Sequence, residues 1–277
     1  MTTLGTPTLI GVPFDGNSSY LRGAGDAPPK IREALACDAS NSWTELGVDL
    51  GTAGAYEDAG DLDLVEKTGF DGKTDLNEKT AFAVIEAGVG ALLDQGKRPV
   101  SLGGDHSITY PIVKAFAKKH ADLTIFHFDA HPDLYDEFEG NRMSHGCPFA
   151  RIMEAGLAKR LVQVGIRTAN QHQRQQAERF GVELIEMRAL PAYEKLRAAG
   201  PVYVSFDIDV IDPAFAPGVS HREPGGISVR EAIGHLHAIE GEIVGADVVE
   251  YNPGAGYCRF DRDRDGQDIE GDSWKDD

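Results

Sequence analysis

The chain has 277 residues, of which 41% are hydrophobic and 26% charged, a balance that fits a soluble globular protein with one large α/β domain or two small ones. A formal net charge of −18 would repel nucleic acid and anionic membrane surfaces, and it suits a small cationic substrate or bound divalent metals. Cys37, Cys147 and Cys258 are widely spaced with no Cys-x-x-Cys pair, no basic-then-apolar leader opens the chain, and no stretch approaches the roughly 20 apolar residues of a membrane span, so a reduced, cytoplasmic protein without a membrane partner is expected.

In chain order, residues 9–14 read as a short strand that runs into a loop rich in Gly, Asn and Ser. Residues 28–35 read as a helix with prolines at its start, where their fixed φ is tolerated. The Asp- and Gly-rich segment 38–77 reads as irregular surface connections. Phe82, Ile85, Val89, Leu92 and Leu93 recur at helical spacing and predict a helix over 78–95, stopped by Gly96. Strands are predicted at 99–102, 123–128, 161–165, 182–186, 202–206 and 243–249, with helices at 109–120, 149–159, 171–180, 193–199 and 229–238 between them. This unbroken alternation of helices with nearly continuous apolar strands predicts a single three-layer α/β domain, a mainly parallel sheet with helices on both faces. In such sheets ligands bind beyond the carboxyl ends of the strands. The predicted catalytic domain spans residues 1–253, and 254–277 reads as an acidic, disordered tail. Within that tail Asp261-x-Asp263-x-Asp265-Gly266 followed by Asp272 resembles a calcium loop, but no amphipathic helix flanks it.

The chemistry concentrates at the strand ends. Phe126-His127-Phe128-Asp129-Ala130-His131-Pro132-Asp133 puts Asp129, His131 and Asp133 at alternate positions after an apolar run, so an extended chain would point them the same way. A second run, 202–206, leads into Asp207, Asp209 and Asp212, and a third ends in Gly103-Gly104-Asp105-His106-Ser107. Singly, each has a bland reading: a solvated Asp-x-Asp loop, a glycine turn, a packed histidine. Together, His106, Asp129, His131, Asp133, Asp207 and Asp209 place carboxylates where they could not all stay ionised without cations. Oxygen-rich ligands with imidazoles suit a manganese-like ion. Paired ions about 3.5–4 Å apart share and acidify a water, which reads as a binuclear metallohydrolase. Cys147 has no base or oxyanion device beside it and reads as packing rather than nucleophile.

These motifs, with Gly11-Val12-Pro13-Phe14, Ser144-His145-Gly146 and Ala216-Pro217-Gly218, resemble the ureohydrolase family of arginases and agmatinases over about residues 8–253. Asn17-Ser18-Ser19-Tyr20, Ala27-Pro28-Pro29-Lys30-Ile31-Arg32 and Val219-Ser220-His221-Arg222-Glu223-Pro224-Gly225-Gly226 look like its plant-type arginases. The resemblance implies a site for two Mn²⁺ ions, with His106 and Asp133 on one, His131 and Asp209 on the other, and Asp129 and Asp207 bridging. It implies that Asp133 also orients the nucleophile, that His145 shuttles protons, and that Glu250 pairs with the substrate guanidinium. Asn141, Asn170 and His221 are the further candidate substrate contacts, Asn170 standing where animal-type arginases carry an acid. The implied reaction converts L-arginine to L-ornithine and urea, with agmatine or another guanidino compound as alternative substrate. A metal-binding homologue without turnover is the competing class. The family is also expected to assemble as a homo-trimer or hexamer, and to end in a helix that the polar segment after residue 253 looks unable to supply.

Overall fold

The computed structural model describes residues 5–39, 41–64, 78–190 and 196–256. Among them, eight strands form one sheet: β1 (Pro7–Gly11), β2 (Glu57–Asp61), β3 (Arg98–Leu102), β4 (Thr124–Phe128), β5 (Arg160–Ile166), β6 (Glu183–Glu186), β7 (Leu196–Asp207) and β8 (Ile239–Val249). The order across the sheet is β2-β1-β3-β8-β7-β4-β5-β6, and every pairing is parallel. Parallel strands need crossovers, supplied here by α1 (Ala27–Leu35), α2 (Glu78–Asp94), α3 (Thr109–Ala117), α4 (Pro148–Glu154), α5 (Gln171–Phe180) and α6 (Val229–His237).

Side-chain alternation splits the core into two layers. Ile125, Leu161 and Tyr203 point to the face where Ile85, Ile112, Phe116, Phe149 and Ala177 of α2 to α5 pack. Their neighbours Phe126, Val162, Val164, Val202 and Val204 point to the other face, where Ala232 and Leu236 of α6 cover them. The three-layer α/β arrangement expected from the alternation is therefore present. Capping fixes two of the helices: Asn170 with Gln173 closes a capping box on α5, and Ser228 with Glu231 does the same on α6.

Two departures from the predicted elements have local causes. The segment read as a helix over 193–199 is strand from Leu196 onward, because Leu196 and Arg197 pair with Ile239 and Glu240 of β8. Residues 193–195 lie outside the described residues. Segment 38–77, read as irregular, contains β2, an edge strand whose sequence Glu-Asp-Ala-Gly-Asp has no apolar alternation because it is largely exposed. The tail beyond residue 256, with its calcium-like motif and Cys258, also lies outside the described residues, as does the expectation that it lacks the family's final helix.

At the end of β3, Gly103 and Gly104 both take positive φ, +80° and +87°. A Cβ on Gly104 would sit 2.7 Å from the carbonyl oxygen of Phe14 and 2.9 Å from that of Val12. Gly104→Ala is therefore expected to cost about 1–3 kcal/mol, read as a lower urea midpoint with unchanged slope. A midpoint equal to wild type would contradict it.

Candidate active site

Four neighbouring strands, β3, β8, β7 and β4, end side by side, and each delivers part of one cluster. His106 follows β3, Asp129, His131 and Asp133 follow β4, Asp207 ends β7 with Asp209 in the turn after it, and Glu250 follows β8. Asp133 and Glu250 hold positive φ, 49° and 62°, which non-glycine residues adopt at a cost and which gathers at functional sites.

Three of the aspartates divide their oxygens in the same way. Oδ1 of Asp129 accepts from His131 N at 2.6 Å, Oδ1 of Asp207 from Asp209 N at 2.8 Å, and Oδ1 of Asp209 from Ala130 N at 3.0 Å. Each Oδ2 is left facing inward. Nδ1 of His106 lies 3.1 Å from Asp129 Oδ2, 3.0 Å from Asp133 Oδ2 and 3.1 Å from Asp207 Oδ2. Nδ1 of His131 lies 2.9 Å from Asp209 Oδ2.

The hydrogen-bond network fixes which His106 nitrogen is bare. Asp247, fully buried, accepts from Ser205 Oγ at 2.7 Å, Tyr203 Oη at 2.7 Å and Thr109 Oγ1 at 2.8 Å. With its only hydrogen given to Asp247, Ser205 Oγ accepts from His106 Nε2 at 3.0 Å. The Nδ1 lone pair therefore faces the carboxylate oxygens, and this buried atom has no hydrogen-bond partner. Burial opposes a charge on His106, but the carboxylates of Asp129, Asp133 and Asp207 outweigh it and raise the imidazole well above its ordinary range, so Nδ1 calls for a cation, a proton in the metal-free protein or a metal ion when one is bound. Burial and the neighbouring charges of Asp209 and Asp129 also push Asp207 well above the usual carboxylate range, and burial pushes Asp209 up to about 6. Bound divalent cations reverse both effects, so the donor set fits a metal site, with His106, Asp129, His131 and Asp209 among groups close enough to ligate.

His127 was not singled out in the sequence. Gln163 Nε2 donates to Pro132 O at 2.6 Å and to His127 Nδ1 at 2.8 Å, so His127 Nε2 donates to Asp129 Oδ2 at 2.7 Å. Burial lowers its pKa and keeps it neutral. It stacks on Phe149 with centroids 3.9 Å apart. The signal was available: His127 lies two residues before Asp129, in the same alternation. Asp212 belongs elsewhere, since its carboxylate accepts from the backbone of Ala214, Gly225 and Gly226 and folds a loop.

A cavity of about 210 Å³ opens on the cluster and is lined by His131, Asp133, His145, Asp207, Asp209, His221, Glu223 and Glu250, together with Ser19, Tyr135, Phe138, Gly146, Thr168 and Gln173. Glu250 Oε1 accepts from His106 N at 2.9 Å and from His145 Nδ1 at 3.0 Å. His221 stands between His145 and His131, with centroids 5.2 and 5.9 Å away. Its Nε2 has no partner, and burial together with the His145 charge lowers its pKa. Glu223, quoted in the sequence only as part of a motif and not as a site residue, brings Oε1 to 3.5 Å from His131 Nε2.

Asn141 and Asn170 do not line this cavity. Asn141 donates to Asn17 Oδ1 at 3.1 Å, and Asn170 caps α5 while donating to Tyr135 Oη at 2.8 Å. Cys147 is fully buried, its thiol pushed up to about 12 by burial and by the Asp133 charge, as packing rather than nucleophilic use requires.

Burial opposes a charge on His145, but the Glu250 carboxylate outweighs it and raises the imidazole to about 9. A histidine raised above its unfolded value of about 6.5 stabilises the fold fully below that value, and the contribution is lost as pH rises through the folded value. Metal-free protein is therefore expected to lose stability between pH 6.5 and about 9, with a shallower slope in His145→Gln. Thermal melts across that window check this, and equal slopes would contradict it.

A parallel α/β sheet that gathers carboxylates and imidazoles around one cavity at the carboxyl ends of its strands defines a metal-dependent hydrolase site. A sequence model of the arginase family matches residues 6–257. The chain is 48% identical over 257 residues to arginase 1, mitochondrial, of Arabidopsis thaliana, covering 89% of this chain and 73% of that one. It is 36% identical over 252 residues to an agmatinase of Bacillus anthracis, covering 88% and 83%. The solved structure of arginase from Medicago truncatula superposes with a TM-score of 0.86 at 46% identity, covering 92% of this chain and 82% of that one. The chain belongs to the arginase family. Its likeness to plant arginases, first visible in short motifs, extends over most of its length.

Proposed function

We propose that this protein hydrolyses the guanidino group of L-arginine to give L-ornithine and urea, with agmatine, giving putrescine and urea, as the alternative substrate. The observation that carries the reading is the convergence of Glu250, His145 and the aspartate cluster on one cavity whose described lining includes no lysine or arginine. Higher identity to the Arabidopsis arginase than to the Bacillus agmatinase supports arginine as first choice.

In this reading His106, Asp129, His131, Asp133, Asp207 and Asp209 would hold two Mn²⁺ ions. When bound, such ions acidify a water enough to attack a resonance-stabilised guanidinium at neutral pH. Glu250 grips the planar cation as a carboxylate can, and its burial, at 5% exposed, keeps competing water away from that pair. Asp133 accepts a hydrogen bond from the attacking water and so aims it. His145 holds a proton on Nε2 for the departing amine while Glu250 accepts from Nδ1. Neutral His221, which lines the cavity beside His145, contacts the substrate directly. Asn141 and Asn170 act through Asn17 and Tyr135 instead.

Residues 1–253 make up the catalytic unit in this proposal and 254–277 an appended acidic tail. This reading takes the protein to be cytoplasmic and to assemble as a homo-trimer or hexamer. No described helix is long and apolar enough to cross a membrane. The deciding experiment compares urea release from L-arginine and agmatine by Mn²⁺-reloaded protein. A kcat/KM at least ~10-fold higher for arginine, a difference of ~1.4 kcal/mol, is expected. Preference for agmatine would reassign the substrate, and no urea from either would overturn the reading.

A further inference from the structure

The loop after β1 carries Asn17-Ser18-Ser19, a stretch that the ligand cluster does not use, yet it touches His145 twice. Asn17 O accepts from His145 N at 3.2 Å, and Ser19 Oγ lies 2.8 Å from His145 Nε2. Ser19 also lines the cavity. The loop itself is pinned. Asp105 Oδ2, fully buried, accepts from Asn17 N at 2.9 Å and from Ser18 Oγ at 3.3 Å, while Asn17 Nδ2 donates to Ser107 Oγ at 3.2 Å. Asn141 Nδ2 holds Asn17 Oδ1 from the other side at 3.1 Å.

This arrangement couples the Ser19 hydroxyl to the charge on His145. Glu250 is a carboxylate acceptor for Nδ1, so Nδ1 carries a hydrogen and Nε2 is the nitrogen that gains and loses a proton. When Nε2 is bare it accepts the Ser19 O–H. When Nε2 is protonated it donates to Ser19 Oγ, and the serine hydrogen is released toward the cavity.

We propose that Ser19 is the outer member of a two-proton relay, standing between His145 and the departing amine; this rests on the guanidino hydrolysis proposed above. As the C–N bond of the tetrahedral intermediate breaks, its electron pair leaves with nitrogen. The nitrogen takes the Ser19 hydroxyl proton while His145 Nε2 gives its proton to Ser19 Oγ. Serine ends unchanged, histidine ends neutral, the departing R–NH becomes a neutral R–NH2, and the proton of the added hydroxyl passes to Asp133 as the urea C=O bond forms.

The test is urea release from L-arginine by the Mn²⁺-loaded full chain and its Ser19→Ala, Ser19→Thr, His145→Ala and Ser19→Ala/His145→Ala variants. Ser19→Ala is expected to lower kcat on the order of 10- to 100-fold, part of the 10²–10⁴ typical of general acid catalysis, with KM unchanged. Ser19→Thr, which keeps the hydroxyl, restores most of the rate. In the His145→Ala background, removing Ser19 costs nothing more, the non-additivity of residues acting in one path. A raised KM with unchanged kcat would make Ser19 a ground-state substrate contact and overturn the relay. Additive losses, or no rescue by threonine, would overturn it as well. Full kcat in Ser19→Ala sinks the relay alone, whereas no urea from wild type sinks the proposed function and the relay with it.

Discussion

Asp207→Asn is expected to abolish urea release and yet to make the metal-free protein more stable. Asp207 Oδ2 faces Nδ1 of His106 at 3.1 Å, but burial and the charges of Asp209 and Asp129 outweigh that attraction and hold the carboxyl well above its usual range. An asparagine keeps the Oδ1 that accepts from Asp209 N and removes one anion from the cluster. A buried charge opposed by its neighbours thus becomes a neutral amide, a change of about 1–3 kcal/mol in favour of the metal-free fold at neutral pH. In the proposed function the same change also removes a metal ligand. Loss of several kcal/mol of electrostatic stabilisation means urea release falls by more than ~10³-fold, and added Mn²⁺ no longer raises the melting temperature. Opposite signs for stability and activity are the mark of a cluster built for cations rather than for the fold. A variant less stable than metal-free wild type would contradict an Asp207 charge opposed by burial and by its neighbours.

Glu250→Gln is expected to leave metal content intact and to lower kcat/KM by about 10²–10³-fold, the cost of truncating one partner of a buried charge pair. One carboxylate serves His106 N, His145 Nδ1 and, in the proposed function, the guanidinium. A neutral amide keeps the shape and loses the charge. With it goes the influence that raises His145 to about 9, so the imidazole should titrate nearer its ordinary value of about 6.5. Metal analysis beside pH–rate profiles separates this variant from Asp207→Asn. Activity within threefold of wild type would remove Glu250 from the substrate pair.

The strand-end cluster was legible in the sequence because its spacing is local. Asp129, His131 and Asp133 follow a strand that is buried along its whole length, and a side chain emerging there can be read from alternation alone. His127 obeys the same alternation but was hidden inside an apolar run, where a histidine passes for packing. β2 escaped notice because an exposed edge strand needs no apolar pattern. The first residues of β7 looked helical since Leu196, Ala198 and Ala199 are good helix formers, and pairing with β8 overrode that preference.

Contacts between distant segments outside the strand-end motifs were not legible. Ser19 and His145 are 126 residues apart, and Asp105 and Asn17 are 88 apart. Nothing local in either stretch announces its partner. Asn141 and Asn170 illustrate the converse: polar residues near the right motifs turned out to be holding Asn17 and capping α5.

The most direct measurement is urea release from L-arginine by protein stripped of metal with a chelator and then titrated with Mn²⁺, followed beside the bound ion count. A dimetal guanidino hydrolase gives no urea when stripped, and activity that climbs to a plateau at about two ions per chain. Undiminished urea release from the stripped protein, or none with the cluster filled, would contradict it.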